Sequence, residues 1–327
     1  HASDDLLAVL GEQGWHSLAD DVSLERVRAA ARVDELGRVG ADLDHLRTGA
    51  TSGRRDLALA GRLAEALVHR RDGALTAAIA AATAGLDRLD DIVAEAPSLE
   101  HRSAAIRLGA DLSQLAIELA VELTAPDTVL AAAEGTRARA LHDELASREW
   151  HRPLTVDGAD HLIRELISRL GTRSLVEWVV ARDRVMAVVL DRGGPRLVDV
   201  AAVRDVARAR DRVLAHLDVA AADPDGSSVR AMRAVTILEE VLFEPLDLGG
   251  DGTVVMVPVD LLHGVPWSGV ATLRGRPFVL TPNAQLWLDA DRRAAVPART
   301  VGLVVGPGVE GAELERSVIE RRYPSAA

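Results

Sequence analysis

Gly306, Gly308 and Gly311 in the stretch VGPGVEG have the G-x-G-x-x-G spacing with which backbone amides and a helix N-terminus can cradle a pyrophosphate. An apolar run at 301–305 predicts a strand before this stretch, and 311–322 predicts an amphipathic helix after it. Two features oppose nucleotide binding. Glu310, Glu313 and Glu315 place negative charge where phosphate would sit, and the acidic residue expected about 20 positions on would fall past Ala327. The same glycines serve a tight strand-to-helix turn, so nucleotide binding is the lesser reading. The segment 250–270, GDGTVVMVPVDLLHGVPWSGV, carries Pro258, His263, Pro266 and Trp267 behind a buried-strand pattern. His263 reads as a structural histidine bonded to a nearby carbonyl.

Other reactive chemistry is sparse. The sequence contains no cysteine and no lysine. A thiolate nucleophile, a thiolate metal site and a P-loop lysine are therefore excluded within these residues. No two of the ten histidines stand four apart, so neither a metal nor a cofactor is expected. Asp90-Asp91 and Glu239-Glu240 read as solvated helix faces.

The elements that must position these residues divide the chain in two. Leu108, Leu112, Leu115, Leu119 and Leu123 form one apolar stripe at helical period, and Leu75, Ile79, Leu86, Leu89 and Val93 another. Asp127 suits the N-cap of a helix carrying Ala138, Leu141 and Leu145. Thr51-Ser52-Gly53, Pro97-Ser98 and 124–126 break the helices. Residues 20–150 thus read as antiparallel hairpins in a repeat-like array. Beyond them 174–181 and 185–190 alternate as strands joined by Arg182-Asp183-Arg184, and Gly193-Gly194-Pro195 precedes a third strand at 196–200. Helices are expected at 201–218 and 229–243, separated by 223–226, and a buried strand at 253–259. The fold class is α plus α/β. Three regions follow: a helical region 1–150, a meander with helices 151–250, and a sheet core 251–327.

At 327 residues the chain has length for about two domains. Acidic residues outnumber basic ones 50 to 38, a net charge of −12, and 26 of the acidic against 16 of the basic lie within residues 1–150. That balance disfavours nucleic acid and anionic membranes as partners. The conspicuous uncharged run ALTAAIAAATAGL is shorter than a membrane span. No signal peptide opens the chain, and a cytoplasmic location is expected.

VMVPVDLLHGVPWSGV resembles the opening signature of CHAT domains, the caspase- and separase-like domains that follow tetratricopeptide-type helices. EGTRARALHDELA is similar to the last helix of such a repeat region. SLVEWVVARDRVMAVVLDRGGPRLVDV is similar to the family's meander, RPFVLTPNAQLWLDA to its next block, and VGLVVGPGVEGAELERSVIERRYP to its second core strand and helix. The likeness spans roughly 130–327. It implies a caspase-like α/β domain, present only in part, and a bacterial cysteine endopeptidase acting on a protein substrate. The family's catalytic histidine and cysteine lie beyond these blocks. No catalytic residue carries over, and Pro258, His263, Pro266 and Trp267 are motif residues of structural kind. The chain alone is expected to be inactive. Its helices would act as a sensor or docking arm for a substrate or regulatory protein, and it would pair with a missing C-terminal catalytic half or self-associate. The alternative from another class is a non-enzymatic interaction scaffold.

Overall fold

The computed structural model describes residues 2–33, 35–48, 55–95, 98, 109–145, 156–222, 224–249, 252–294, 303, 308 and 311–323. Among them are twelve α-helices and one five-stranded mixed sheet. Helices and sheet together make an α plus α/β architecture. The chain divides into two compact units, His1–Gln285 and Leu286–Ala327. The expected boundaries near 150 and 250 fall outside the described residues.

Seven helices open the first unit: α1 (Ala2–Glu12), α2 (His16–Arg32), α3 (Gly40–Thr48), α4 (Arg55–Arg71), α5 (Leu75–Glu95), α6 (Ala110–Glu122) and α7 (Pro126–Leu145). Each packs against the next in sequence. Their shared core takes Leu86, Leu89 and Val93 from α5 and Leu112, Leu115 and Leu119 from α6. Leu75 and Ile79 pack at its margin. Abundant alanine lets these helices approach closely. At Gly85 an added Cβ would stand 2.8 Å from Leu112 and 3.0 Å from Arg62. Leu108, Thr51-Ser52-Gly53 and Pro97 lie outside the described residues, as do the side chains of Leu141 and Leu145.

The sheet has order β3-β2-β1-β4-β5. Its strands are β1 (Ser174–Ala181), β2 (Arg184–Asp191), β3 (Gly194–Ala202), β4 (Val254–Val257) and β5 (Phe278–Leu280). β1, β2 and β3 form an antiparallel meander, whereas β4 runs parallel to β1 and β5 parallel to β4. The pleat sends alternate residues to opposite faces. Val176, Trp178, Ala187, Val189 and Met256 share one face with residues of α9 (Val203–Ala222) and α10 (Pro224–Leu242). The opposite face meets α7 and α8 (Val156–Leu170), whose Leu162, Leu166 and Leu170 are buried at four-residue spacing. Helices on both faces explain why β1 and β4 are apolar along nearly their whole length.

Several element ends differ from the sequence expectations, each for a local reason. Arg184 pairs with Ala202 as the first residue of β2, so the hairpin turn is only Arg182-Asp183, with Arg182 at φ 55°. β3 begins earlier than expected, at Gly194. Pro195 is tolerated because β3 is an edge strand whose outer side needs no N–H. Proline also opens two helices, since the first helical position has no intrahelical use for its N–H. Pro126 therefore precedes Asp127, which sits in the first turn of α7 and not at its N-cap. Pro224 likewise starts α10, leaving only residue 223 between α9 and α10. The buried strand at 253–259 contracts to Val254–Val257, because Pro258 cannot donate to the ladder. Of the strand expected at 301–305 only Leu303 is described.

In the second unit, α11 (Ala284–Ala294) continues from its start in the first, and α12 (Ala312–Arg322) follows Gly311. α12 buries none of its residues, with Leu314 and Val318 exposed. The helix expected at 311–322 forms at Ala312–Arg322, and the described residues bury no face of it. Among the described residues no helix is long and apolar enough to cross a membrane.

Gly252, just before β4, is the tightest backbone approach in the sheet. A Cβ there would lie 2.3 Å from the Thr172 carbonyl oxygen. Gly252→Ala must displace the entry to β4 and is expected to destabilise by about 1–3 kcal/mol. Urea denaturation followed by circular dichroism measures this; an unchanged midpoint would contradict the close approach.

Candidate functional site

Three places could carry function: the loop after β4, a buried polar cluster between α7 and β1, and a cleft beside the helical array. In the loop, Pro258 ends β4, His263 follows a 3-10 turn at Asp260–Leu262, and Pro266 leads into a second at Trp267–Gly269. Trp267 turns inward. Its ring stacks on Trp178 at 5.6 Å and meets Phe243 edge-on at 6.1 Å. This aromatic trio spans β1, the end of α10 and the loop, and is how the loop is held. Arg210 of α9 donates to the Leu261 carbonyl at 3.0 Å. His263 points the other way. Its side chain is 63% exposed, and Nδ1 faces Asp260 at 3.8 Å and not a carbonyl.

Glu239 of α10 secures the next turn. Its carboxylate accepts from the backbone N–H of Ala271 at 3.0 Å and of Thr272 at 2.6 Å, and from the Thr272 hydroxyl at 2.5 Å. Burial raises its pKa, but these hydrogen bonds outweigh burial and hold it below the ordinary glutamate value. Asp90 is likewise engaged, accepting from Arg139 at 2.7 and 2.8 Å. Neither residue is the solvated helix-face carboxylate its sequence neighbours suggest.

The polar cluster is the least expected feature. Glu134 of α7 is 1% exposed and Glu177 of β1 is 0% exposed. Arg137, one turn after Glu134, donates to Glu177 and also to the Trp178 carbonyl at 2.6 Å. Glu134 in turn accepts the N–H groups of Ala284 at 2.7 Å and Gln285 at 2.9 Å, capping the N-terminus of α11. Two carboxylates and one guanidinium would leave a buried negative charge. Burial, with the nearby Glu134 charge, drives Glu177 well above the usual carboxylate range despite Arg137. Burial raises Glu134 as well, opposed by the Ala284 N–H and Arg137. Both carboxyl groups are thus biased toward their protonated forms, Glu177 the more strongly. Glu177 Oε2 meets no hydrogen-bond partner among the described residues. The arrangement resembles an acid–base dyad chemically, but burial this complete admits no substrate. Its work is to join α7, β1 and the Ala284–Gln285 segment.

The cleft measures about 1100 Å³ and lies between α2, α4, α6 and the β1–β2 turn. Leu36, Leu63, Leu67 and Leu115 give it an apolar floor. Its rim is charged and internally paired. Arg70 reaches Glu118 at 3.0 Å and also bonds Glu122, while Arg182 reaches Glu122 at 2.8 Å. Gln114 donates to the Val180 carbonyl at 3.1 Å. The hairpin tip is thereby fastened to the array and forms one wall.

The glycine motif is only partly described, since Gly306 lies outside the described residues. Gly308 and Gly311 have φ of 72° and 82°, and Gly311 precedes α12. The first turn of α12 carries Glu313 and Glu315. Among the described residues no group of three or more metal-ligating side chains comes together. No family model matches the chain, nor does any curated protein or solved structure.

Sequence reasoning passed over Glu134, Arg137 and Glu177. The signal was present: Glu177 is the one charged residue inside SLVEWVVA, and Glu134 with Arg137 has the one-turn spacing of a helix pair.

The raised pKa of Glu177 fixes a pH sign. The cluster's contribution to stability is complete below the unfolded glutamate value, about 4.3, and is lost as pH rises through the folded value. Glu177→Gln mimics the protonated form. In urea denaturation across pH 5–9, wild type is expected to weaken relative to Glu177→Gln as pH rises. A constant difference between them would show that Glu177 is ionised. Arg137→Met leaves the carboxylates uncompensated and should cost about 3–5 kcal/mol at neutral pH.

Proposed function

We propose that residues 1–327 are the docking arm and part of the sheet core of a CHAT-type, caspase-like peptidase. In this reading the helices are tetratricopeptide-type hairpins and the cleft receives a protein segment. The observation that carries it is the cleft itself, walled by the array on one side and by the tip of the sheet's own hairpin on the other. A segment bound there touches arm and sheet together. Support also comes from the mixed sheet, an antiparallel meander continued by parallel β4 and β5 with the Pro258–Trp267 loop after β4. These residues hold no cysteine, so a thiol mechanism needs a cysteine supplied from outside them.

A non-enzymatic scaffold would use the same cleft and differ only in having no catalytic partner. Nucleotide binding through Gly306, Gly308 and Gly311 has less in its favour, because Glu313 and Glu315 oppose phosphate at the start of α12.

The apolar floor and the two-signed rim specify the ligand: an aliphatic side chain flanked by both an acidic and a basic residue. Peptides selected by display against the wild-type chain should converge on that pattern. Gln114 is exposed at the cleft wall, so Gln114→Trp fills the opening without entering the core. Selected peptides are expected to bind this variant at least about tenfold more weakly, some 1.4 kcal/mol. Absence of enrichment, or equal binding to both proteins, would refute the docking role.

A further inference from the structure

The tip of the β1–β2 hairpin has a backbone and a charge pattern that forming a turn does not require. Arg182 and Asp183 are both exposed, and both line the cleft. Of the two, only Arg182 has a positive φ, at 55°. A two-residue turn with that pattern favours glycine at its first position, because a Cβ is crowded there. A long side chain therefore stands where the turn is easiest to build without one.

The other charges around the cleft are committed to one another. Arg28 pairs with Asp111 at 2.6 Å, Arg71 with Asp72 at 3.0 Å, and Arg70 with Glu118 at 3.0 Å and also with Glu122. Arg184, next along the hairpin, bonds Asp199 at 2.9 Å. Arg182 reaches only the Glu122 carboxylate, at 2.8 Å, and its side chain stays 61% exposed. Glu122 does not depend on it, since Arg70 bonds the same carboxylate. Asp183 is the one charged lining residue that forms no ion pair among the described residues. The turn needs neither side chain to keep its place. Val203 donates its N–H to the Asp183 carbonyl at 2.7 Å, and Gln114 donates to the Val180 carbonyl at 3.1 Å.

We propose that Arg182 and Asp183 determine the specificity of the cleft, Arg182 reading an acidic residue of the docked segment and Asp183 a basic one. This rests on the docking role proposed above. In an extended segment alternate side chains point to opposite sides, and residues two apart stand about 7 Å from each other on one side. An acid–aliphatic–base triplet thus turns its two charges to the hairpin tip and its aliphatic side chain to Leu63, Leu67 and Leu115 of the floor. The planar guanidinium of Arg182 takes the incoming carboxylate through paired hydrogen bonds. Asp183 gains the opposite charge it lacks within the chain. A segment with two like flanks leaves one of the turn residues facing its own sign.

The probe is a set of short labelled peptides with a central leucine whose two flanks are each Glu, Gln or Arg. Fluorescence anisotropy measures their binding to the full chain at low salt. Wild type is expected to bind best the peptides with one Glu and one Arg flank. It should lose about fivefold or more, the scale of one exposed ion pair, when the Arg flank becomes Glu. Asp183→Arg should reverse that order and prefer two Glu flanks. Arg182→Gly should lose the choice between Glu and Gln at the acidic flank. Its melting temperature should hold within about 2 °C, because relief at the positive φ offsets the freer unfolded chain. Asp183→Arg with the wild-type order overturns the proposal, as does Arg182→Gly that still distinguishes Glu from Gln. If those preferences stay put while Gln114→Trp weakens binding, docking stands and this inference alone falls. If no peptide binds wild type, or Gln114→Trp binds equally, the docking role falls and the inference falls with it.

Discussion

A single buried cluster of charged side chains is what most of this structure turns on. Glu134, Arg137 and Glu177 come from a helix and a strand and share one dehydrated pocket. Two glutamates and one arginine cannot be buried there fully ionised without a net charge, and the cost of such a charge is several kcal/mol. Burial and the nearby Glu134 charge bias Glu177 toward its protonated form, which lessens that charge. Glu134 caps the start of α11, a helix that begins 150 residues later in the chain. Through this contact the last helix before the sheet, the first strand and the segment Ala284–Gln285 after β5 share one set of hydrogen bonds.

The two faces of the sheet solve different problems. The face toward α9 and α10 is sealed by apolar contact, with Trp178, Trp267 and Phe243 at its centre. Burial of large rings tolerates small shifts, and this face positions the loop that carries Pro258, His263 and Pro266. The opposite face includes the Glu–Arg–Glu cluster, where hydrogen-bond geometry admits one arrangement. The rigid attachment of array to sheet therefore comes from the polar face. The cleft depends on it: the hairpin tip can form a wall only if strand and array keep their places.

Arginine as the sole basic residue shapes the surfaces as well as the interior. Its planar fork engages two acceptors at once. Arg137 uses a carboxylate and a carbonyl, Arg139 both oxygens of Asp90, and Arg70 the carboxylates of Glu118 and Glu122. Lysine, a point charge, would hold each junction less firmly.

The amino-acid pattern alone determined the helical stripes of α5 and α6, the meander and the buried strand at β4, because period and burial are local properties of the order of residues. It also showed that these residues supply no thiolate, which is a matter of composition. Turn lengths and helix starts were less legible. Pro126 and Pro224 read as breaks, yet each opens a helix, since a missing N–H matters only where a hydrogen bond would have been made. His263 read as a structural histidine bonded to a carbonyl, but it lies exposed and faces Asp260, while Trp267 takes the inward position. Only the tertiary structure could pair Glu134 with Glu177 and with Ala284. Those residues are remote in sequence, and a carboxyl group acquires a shifted pKa and a partner from the space around it, not from its neighbours along the chain.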